Sequence, residues 1–328
     1  MIISIALNYL FIRYSAKLGI VDIPNHRSLH EQIKPRTGGL AILSAISVGF
    51  LFFYPFIDES ILLFLPYILF LAIIAFVDDI YSISAASRLL LQLILACLLI
   101  YEGFMIESFN LLSLNITLPS FVAVISTILF IVWLINLYNF MDGMDGFSAG
   151  MAIFGFCTFA LLAYLKGEEG FMIANLILVF GILGFLLFNL PPSKIFMGDI
   201  GSTVIGMFVA LYSIWANNNG VFPIYISVII FAPFILDATI TLIKRTFRGE
   251  KIWVAHRSHY YQRLVLSGLG HKKTLFLEYI WMLLCSIFAV AIFKYQNFNI
   301  QNILLILFII MCLVILVSVD IKTRNVKT

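Results

Sequence analysis

Asn136-Leu137-Tyr138-Asn139-Phe140-Met141-Asp142-Gly143-Met144-Asp145-Gly146 follows directly on a long apolar run and places two carboxylates and two carboxamides at its end. Such groups are costly in lipid and are normally functional there. Continued as a helix, Asn139, Asp142 and Asp145 would follow an i, i+3 spacing that brings neighbouring members onto one face. Gly143 and Gly146 lower helix propensity and favour a helix end opening into a site. An Asx/Gly turn between two membrane helices is the plainer alternative.

Outward from this stretch the chain is 62% hydrophobic, 15% aromatic and 11% charged over 328 residues, far from soluble globular proteins. Its apolar runs, roughly 17 to 25 residues each, are long enough to cross a hydrocarbon core as helices. They do not alternate as the strands of a membrane barrel would. The expected fold is therefore an all-α integral membrane protein of about eleven transmembrane helices, at 1–18, 39–57, 61–77, 88–103, 119–138, 148–165, 170–188, 202–217, 221–243, 274–294 and 301–319. The first run lacks a basic n-region and a small-residue cleavage site before Asp22, and is read as a span. Residues 1–328 form one polytopic domain in this reading, and the loop at 244–273 alone is large enough to carry structure of its own.

Placing 19–38 in the cytoplasm assigns every second connection to that side, and of the 20 Lys and Arg only Lys166 and Lys294 then lie outside. That asymmetry orients the amino terminus out and the carboxyl terminus in. The outer connections, with Asp58, Glu59, Glu102, Glu107, Glu168 and Glu169, read as simple turns. Cys97, Cys157, Cys285 and Cys312 lie inside apolar runs without metal spacing and read as small buried hydrophobes.

The inner connections carry the chemistry. The first runs Val21-Asp22-Ile23-Pro24-Asn25-His26-Arg27-Ser28-Leu29-His30, then Lys34-Pro35-Arg36-Thr37-Gly38-Gly39, a turn-rich basic loop suited to anionic oxygens. Lys34 alone reads as positive-inside anchoring. The second holds Asp78-Asp79 and reaches Arg88. Adjacent carboxylates repel unless a cation or a shared proton intervenes, and neither acid is expected to be deeply buried. The fourth, Asn189 to Ser202, sets Asp199 between glycines at a helix start. There Asp199 or Ser202 is either an N-cap or part of a phosphate and hard-cation site. The fifth gathers His256, Arg257, His259 and Arg263, donors suited to a diphosphate or sugar, without the H-E-x-x-H pattern of zinc sites. Asp237 is the remaining intramembrane acid, open to completing the site from below or to pairing with Lys244 or Arg245.

Acids and bases on five inner connections point to a cytosolic, anionic, metal-bound substrate. Magnesium suits such a site, because it takes few carboxylates and uses substrate phosphates for the rest. Phosphoryl transfer needs little beyond positioning and charge neutralisation. A transporter would set its acids near the midplane of broken helices, whereas these sit at helix ends. Asp142-Gly143-Met144-Asp145-Gly146 lacks the Ala-Arg of a CDP-alcohol phosphotransferase, and the loop placement argues against an aspartyl protease dyad.

Five motifs in order, Asp22-Ile23-Pro24, Val77-Asp78-Asp79, Asn139 to Gly146, Phe196-Met197-Gly198-Asp199-Ile200-Gly201-Ser202 and the histidine loop, make the chain resemble the polyprenyl-phosphate N-acetylhexosamine-1-phosphate transferases, related to phospho-N-acetylmuramoyl-pentapeptide translocase. The resemblance implies a multi-pass enzyme of the bacterial inner membrane. It would transfer an amino-sugar 1-phosphate from a UDP-N-acetylhexosamine to undecaprenyl phosphate, release UMP and initiate a lipid-linked surface polysaccharide such as O-antigen. It implies Mg²⁺, with Mn²⁺ as a substitute, held by Asp199, and Asp78 and Asp79 as the catalytic acids at the lipid phosphate. It further implies Arg36, Asn139, Asp142, Asp145, Asn189, His256, Arg257 and His259 as substrate-binding residues. The family's common His-x-His-His is replaced by His259-Tyr260-Tyr261-Gln262. The local form resembles the O-antigen branch that uses 6-deoxy sugars such as N-acetylfucosamine or N-acetylquinovosamine. A homodimer is left open.

Overall fold

The computed structural model describes residues 1–18, 21–22, 33–81, 83–112, 114–251, 256–295 and 297–326, and of 15–18 and 115 the backbone only. The first-loop residues Ile23 to His30 and the Trp253-Val254-Ala255 lead into the histidine loop lie outside the described residues.

The helices are α1 (Ile2–Leu18), α2 (Gly38–Phe53), α3 (Glu59–Leu62), α4 (Leu65–Tyr81), α5 (Ala85–Tyr101), α6 (Ser120–Met141), α7 (Phe147–Lys166), α8 (Glu169–Asn189), α9 (Gly198–Asn218), α10 (Ile224–Ile230), α11 (Ala232–Phe247), α12 (Tyr260–Leu264), α13 (Gly270–Lys294) and α14 (Phe298–Lys322). Among the described residues eight spans are long and apolar enough to cross a membrane, and nine if α10 and α11 together form one. The helices at Ile2–Tyr14 and Ala85–Tyr101 are apolar but shorter. The protein is thus an all-helical, multi-pass membrane protein. The expected span at 221–243 is broken: α10 and α11 meet at 81°. Pro233 in the first turn of α11 has no N–H to carry the ladder across Phe231.

The centre of the bundle is α9, whose span is 94% buried, while α14 at the edge is only 22% buried. Small residues let neighbours approach α9 closely. A Cβ on Gly206 would lie 2.6 Å from the Leu134 carbonyl of α6, and one on Gly201 would lie 2.9 Å from the Gly39 Cα of α2. Hence both helices pack on α9 backbone to backbone.

Two departures from expectation concern the connections. The one between α5 and α6 is no simple turn: Ser108–Leu111 pairs antiparallel with Leu114–Thr117. That hairpin contributes Asn110 to a cleft shared with Lys166, Asn217 and Phe293, at the opposite end from the acidic motifs. A short pair, Val21–Asp22 with Lys34–Pro35, closes the base of the first loop. Of the cysteines, only Cys285 and Cys312 are buried; Cys97 and Cys157 are exposed on the outer faces of α5 and α7.

Candidate active site

Backbone pairing assembles the first half of the site. Phe196 donates its N–H to the Pro35 carbonyl (2.8 Å), while Gly38 and Gly39 donate theirs to the Phe196 and Met197 carbonyls (3.0 and 2.7 Å). Gly198 has φ 73°, a conformation that favours glycine, and a Cβ there would lie 2.5 Å from the Arg36 carbonyl oxygen. So α2 and α9 begin side by side, and Arg36 reaches Asp199 in the first turn of α9. Neither Asp199 nor Ser202 caps that helix, which starts after Met197 without a side-chain cap.

Arg36 Nη2 lies 3.1 Å from Asp79 Oδ1 and 3.3 Å from Asp199 Oδ1. Arg88 Nη1 lies 2.9 Å from Asp78 Oδ2 and 3.5 Å from Asp199 Oδ2. Asp199 is therefore shared between two guanidinium groups, and the consecutive Asp78 and Asp79 face different cations. Both acids are more buried than their motif suggested, with side chains 6% and 1% exposed. Burial of an unpaired carboxylate costs several kcal/mol, which explains why each has its own arginine. Asp78 also accepts the Ile83 N–H at 2.7 Å.

The second half is braced by side chains. The Asn189 amide donates to the Ile195 carbonyl and accepts from the Gly146 N–H, both at 2.8 Å. Asp145 accepts the Ser193 N–H and hydroxyl at 3.0 and 2.7 Å. Lys34 donates to the Ser193 hydroxyl at 2.9 Å and is only 12% exposed, so it ties two loops together instead of anchoring the chain to the membrane. Helix α6 stops at Met141, and Asp142 is its C-cap, so Asn139, Asp142 and Asp145 do not share a continuous helical face. The Asp142 carboxyl is raised to about 8, chiefly by burial and also by Asp199 and Asp79, against the Ser148 hydrogen bond and Arg36. Burial opposes the charge on Arg36, yet Asp79, Asp199, Asp22 and Asp142 together raise its pKa.

The third part is the histidine loop. Asp237 pairs with neither Lys244 nor Arg245, which face Asp320 and Glu250. It accepts from His259 Nδ1 (3.0 Å) and from the N–H groups of Tyr260 and Tyr261 (2.9 and 3.0 Å), and so holds the start of α12. His256 accepts the Ser258 N–H at Nδ1 (3.3 Å), which assigns its proton to Nε2. Burial, with His259 and Arg245 nearby, lowers His256 to about 4. Arg257 is half-buried and lines neither cavity described next. Asp237 is also not the last buried acid: Glu278 on α13, which the sequence reading passes over, is buried too.

Two cavities meet in the middle. One is walled by Asp22, Arg36, Asp142, Asp145, Asn189 and His271. The other, of about 350 Å³, has Asp78, Arg88, His256 and His259 at one end and Leu71, Ile74, Ala75 and Leu242 along its wall. Asn139, Asp199 and Gln262 border both. Of the residues given catalytic, metal or substrate-binding roles from sequence, Asp79 and Arg257 alone line neither. Arg88, Gln262 and His271, which do line them, were given no such role. Arg88 was readable only as one more inner cation, Gln262 as part of a departure from a motif, and His271 as the first of a basic trio at a helix start.

A helical membrane protein that gathers carboxylates and guanidinium groups around two joined cavities, one polar and one with an apolar wall, belongs to the class built to bring an anionic soluble group to a membrane-borne one. Residues 61–217 match glycosyl transferase family 4. The chain is 31% identical over 310 residues to a probable undecaprenyl-phosphate N-acetylglucosaminyl 1-phosphate transferase of Bacillus subtilis, covering 94% of this chain and 85% of that one. It is 33% identical over 276 residues to the undecaprenyl-phosphate alpha-N-acetylglucosaminyl 1-phosphate transferase of Haemophilus influenzae, covering 79% and 76%. It is 28% identical over 264 residues to a phospho-N-acetylmuramoyl-pentapeptide-transferase of Staphylococcus saprophyticus, covering 75% and 80%. The chain belongs to glycosyl transferase family 4.

Proposed function

We propose that this protein transfers an N-acetylated amino-sugar 1-phosphate from a UDP-sugar to undecaprenyl phosphate, releasing UMP and initiating a lipid-linked surface polysaccharide. The meeting of the two cavities at Asp199 carries the reading. The polar cavity takes the UDP-sugar, and the apolar-walled one takes the polyprenyl phosphate, its headgroup at Arg88 and Asp78. Their junction is where a phosphate of each reaches the other. The relatives' own names, two of them undecaprenyl-phosphate 1-phosphate transferases, support the same chemistry.

Magnesium fits the junction in its donors. Asp199 and Asn139 border both cavities with oxygen donors, and Mg²⁺ takes few protein ligands when phosphates supply the others. Asp199 would hold it, with Asp142, whose carboxyl is raised to about 8 chiefly by burial, in the same polar cavity. Bound there, the ion would offset the charge of both phosphates. Arg36 and Arg88, already 3.3 and 3.5 Å from Asp199, bind and orient those phosphates from either side. His256 through its Nε2–H and Gln262 through its amide present donors to the transferred group, while His259, whose Nδ1–H goes to Asp237, presents Nε2 as an acceptor. Asp79 and Asp237 position Arg36 and His259, and Asp145 and Asn189 keep the polar cavity in shape.

The chain is read further as one domain of eleven spans in the bacterial inner membrane, amino terminus out and carboxyl terminus in, with the site on the cytoplasmic side. The donor sugar is read as a UDP-N-acetylhexosamine, with 6-deoxy forms favoured by the histidine-loop sequence. The deciding assay combines purified protein, undecaprenyl phosphate, Mg²⁺ and a panel of UDP-N-acetylhexosamines including the glucosamine, fucosamine and quinovosamine forms. UMP release is expected with at least one. Release with none, from protein that is folded and supplied with acceptor, would refute the proposal.

A further inference from the structure

A third cavity, of about 330 Å³, lies behind the histidine loop and shares no lining residue with the other two. It is walled by Lys244 and Arg245 from the last turn of α11, Arg248 just past it, Tyr260 and Arg263 from α12, and Asp320 and Arg324 from the end of α14. The charges do not balance. Asp320 takes Lys244 at 2.7 Å and Arg263 at 2.8 Å, and Glu250 takes Arg245 at 2.7 Å. Arg248 stands 3.9 Å from the already engaged Glu250, and Arg324 makes no ion pair among the described residues. Among the described residues five cations thus stand against two carboxylates. The Tyr260 ring lies between two of them, 4.9 Å from Lys244 Nζ and 5.0 Å from the Arg263 guanidinium carbon, which fixes both heads in place.

Holding like charges together in a formed cavity costs free energy that an anion with several oxygen acceptors offsets. The place is also informative. The candidate span Phe298–Lys322 ends beside the cavity, as does the bent pair that closes at Phe247, so the cluster lies where helices leave the membrane, at headgroup depth. We infer that this cavity is a binding site for a phosphate-bearing anion, distinct from both substrate cavities, that ties the end of α14 to the histidine loop. The tie is direct: Tyr260 donates its hydroxyl to Asp320 at 3.2 Å and follows His259 in sequence. The ligand's source is either an anionic lipid headgroup or free phosphate.

The test uses the full chain and binding readouts that do not depend on its activity. Protein in nanodiscs of phosphatidylcholine with graded phosphatidylglycerol is released into detergent, and retained lipid is counted by native mass spectrometry. In parallel, thermal unfolding in neutral detergent is followed with and without inorganic phosphate. Arg248→Ala, Arg324→Ala and the double variant alter exposed or chain-end groups, and Arg324→Lys serves as the charge-keeping control. For a lipid site, wild type retains phosphatidylglycerol over phosphatidylcholine, and each Ala variant weakens retention about fivefold while Arg324→Lys keeps it. For a free-phosphate site, millimolar phosphate raises the unfolding temperature of wild type and not of the double variant, and lipid retention shows no preference. An absence of both effects in wild type, or effects of equal size in the double variant, overturns the inference.

Discussion

His259 Nδ1 lies 3.0 Å from Asp237 Oδ1, and the two side chains are 4% and 3% exposed. Asp237 takes three further donors, the Tyr260 and Tyr261 N–H groups and the Thr241 hydroxyl, so one carboxylate fixes both the ring and the helix start that carries it. A carboxamide offers only one acceptor oxygen. Asp237→Asn therefore turns an NH₂ toward at least one of these donors, leaving it unsatisfied at a cost of about 1–3 kcal/mol. The expected outcome is a lower unfolding temperature and a fall in kcat with little change in the KM of the UDP-sugar. In a double-mutant cycle with His259→Ala the two losses should not add. Fully additive losses would separate Asp237 from the histidine.

Asp199→Asn tests the junction. It replaces the one carboxylate that both arginines and both cavities share with a weaker, neutral oxygen. Because the side chain is at a helix end beside open cavities, the variant should fold, bind detergent normally and lose most of its turnover. Raising Mg²⁺ should recover part of it. Normal turnover at ordinary Mg²⁺ would move the metal to Asp142 or Asp145.

Much of this arrangement was legible in the chain, and the reasons divide by length scale. Apolar runs dictate helices, so every expected span carries one, and the Lys34 to Gly39 loop and Asp199 each read as places for anionic oxygens, although the backbone pairing that sets Arg36 on Asp199 was not legible. Local spacing misleads where the chain turns. The i, i+3 face of Asn139, Asp142 and Asp145 ends because α6 stops at Met141. Adjacency misleads too: Asp78 and Asp79 leave one helix in different directions and meet Arg88 and Arg36, which sequence alone does not pair with them. The hairpin at 108–117 and the partners of Asp237 depend on contacts between distant segments, for which one sequence carries no periodic signal.

Stability should carry the mark of His256. Its folded-state pKa is lowered to about 4 from an ordinary 6.5, chiefly by burial. Between those values the unfolded chain binds the proton and the folded one does not, so this contribution is present above pH 6.5 and is lost as pH falls toward 4. Wild type should lose more unfolding temperature than His256→Gln between pH 7 and pH 5, each compared with itself. Parallel curves would show that His256 titrates normally in the folded state.

Orientation is tested by single cysteines at Glu168, between α7 and α8, and at Arg248, after α11, in a background without the four native cysteines. An impermeant thiol reagent outside intact cells should label the first and spare the second. Equal labelling of both would undo the topology and the cytoplasmic placement of the site.

The last prediction separates direct attack from a covalent route. Acceptor phosphate and donor diphosphate are both anionic, and they approach only where metal and basic groups offset their repulsion. Arg36 and Arg88 flank the junction at Asp199, so both phosphates can be held there at once and no carboxylate needs to carry the phosphoryl group between cavities. Asp78 is a poor nucleophile in this setting, since one oxygen accepts from Arg88 at 2.9 Å and the other from the Ile83 N–H at 2.7 Å. Purified enzyme given UDP-sugar without polyprenyl phosphate should release no burst of UMP and should exchange no labelled UMP into the donor. A burst equal to the enzyme concentration would require an acyl-phosphate intermediate and make Asp78, Asp79 or Asp199 the nucleophile.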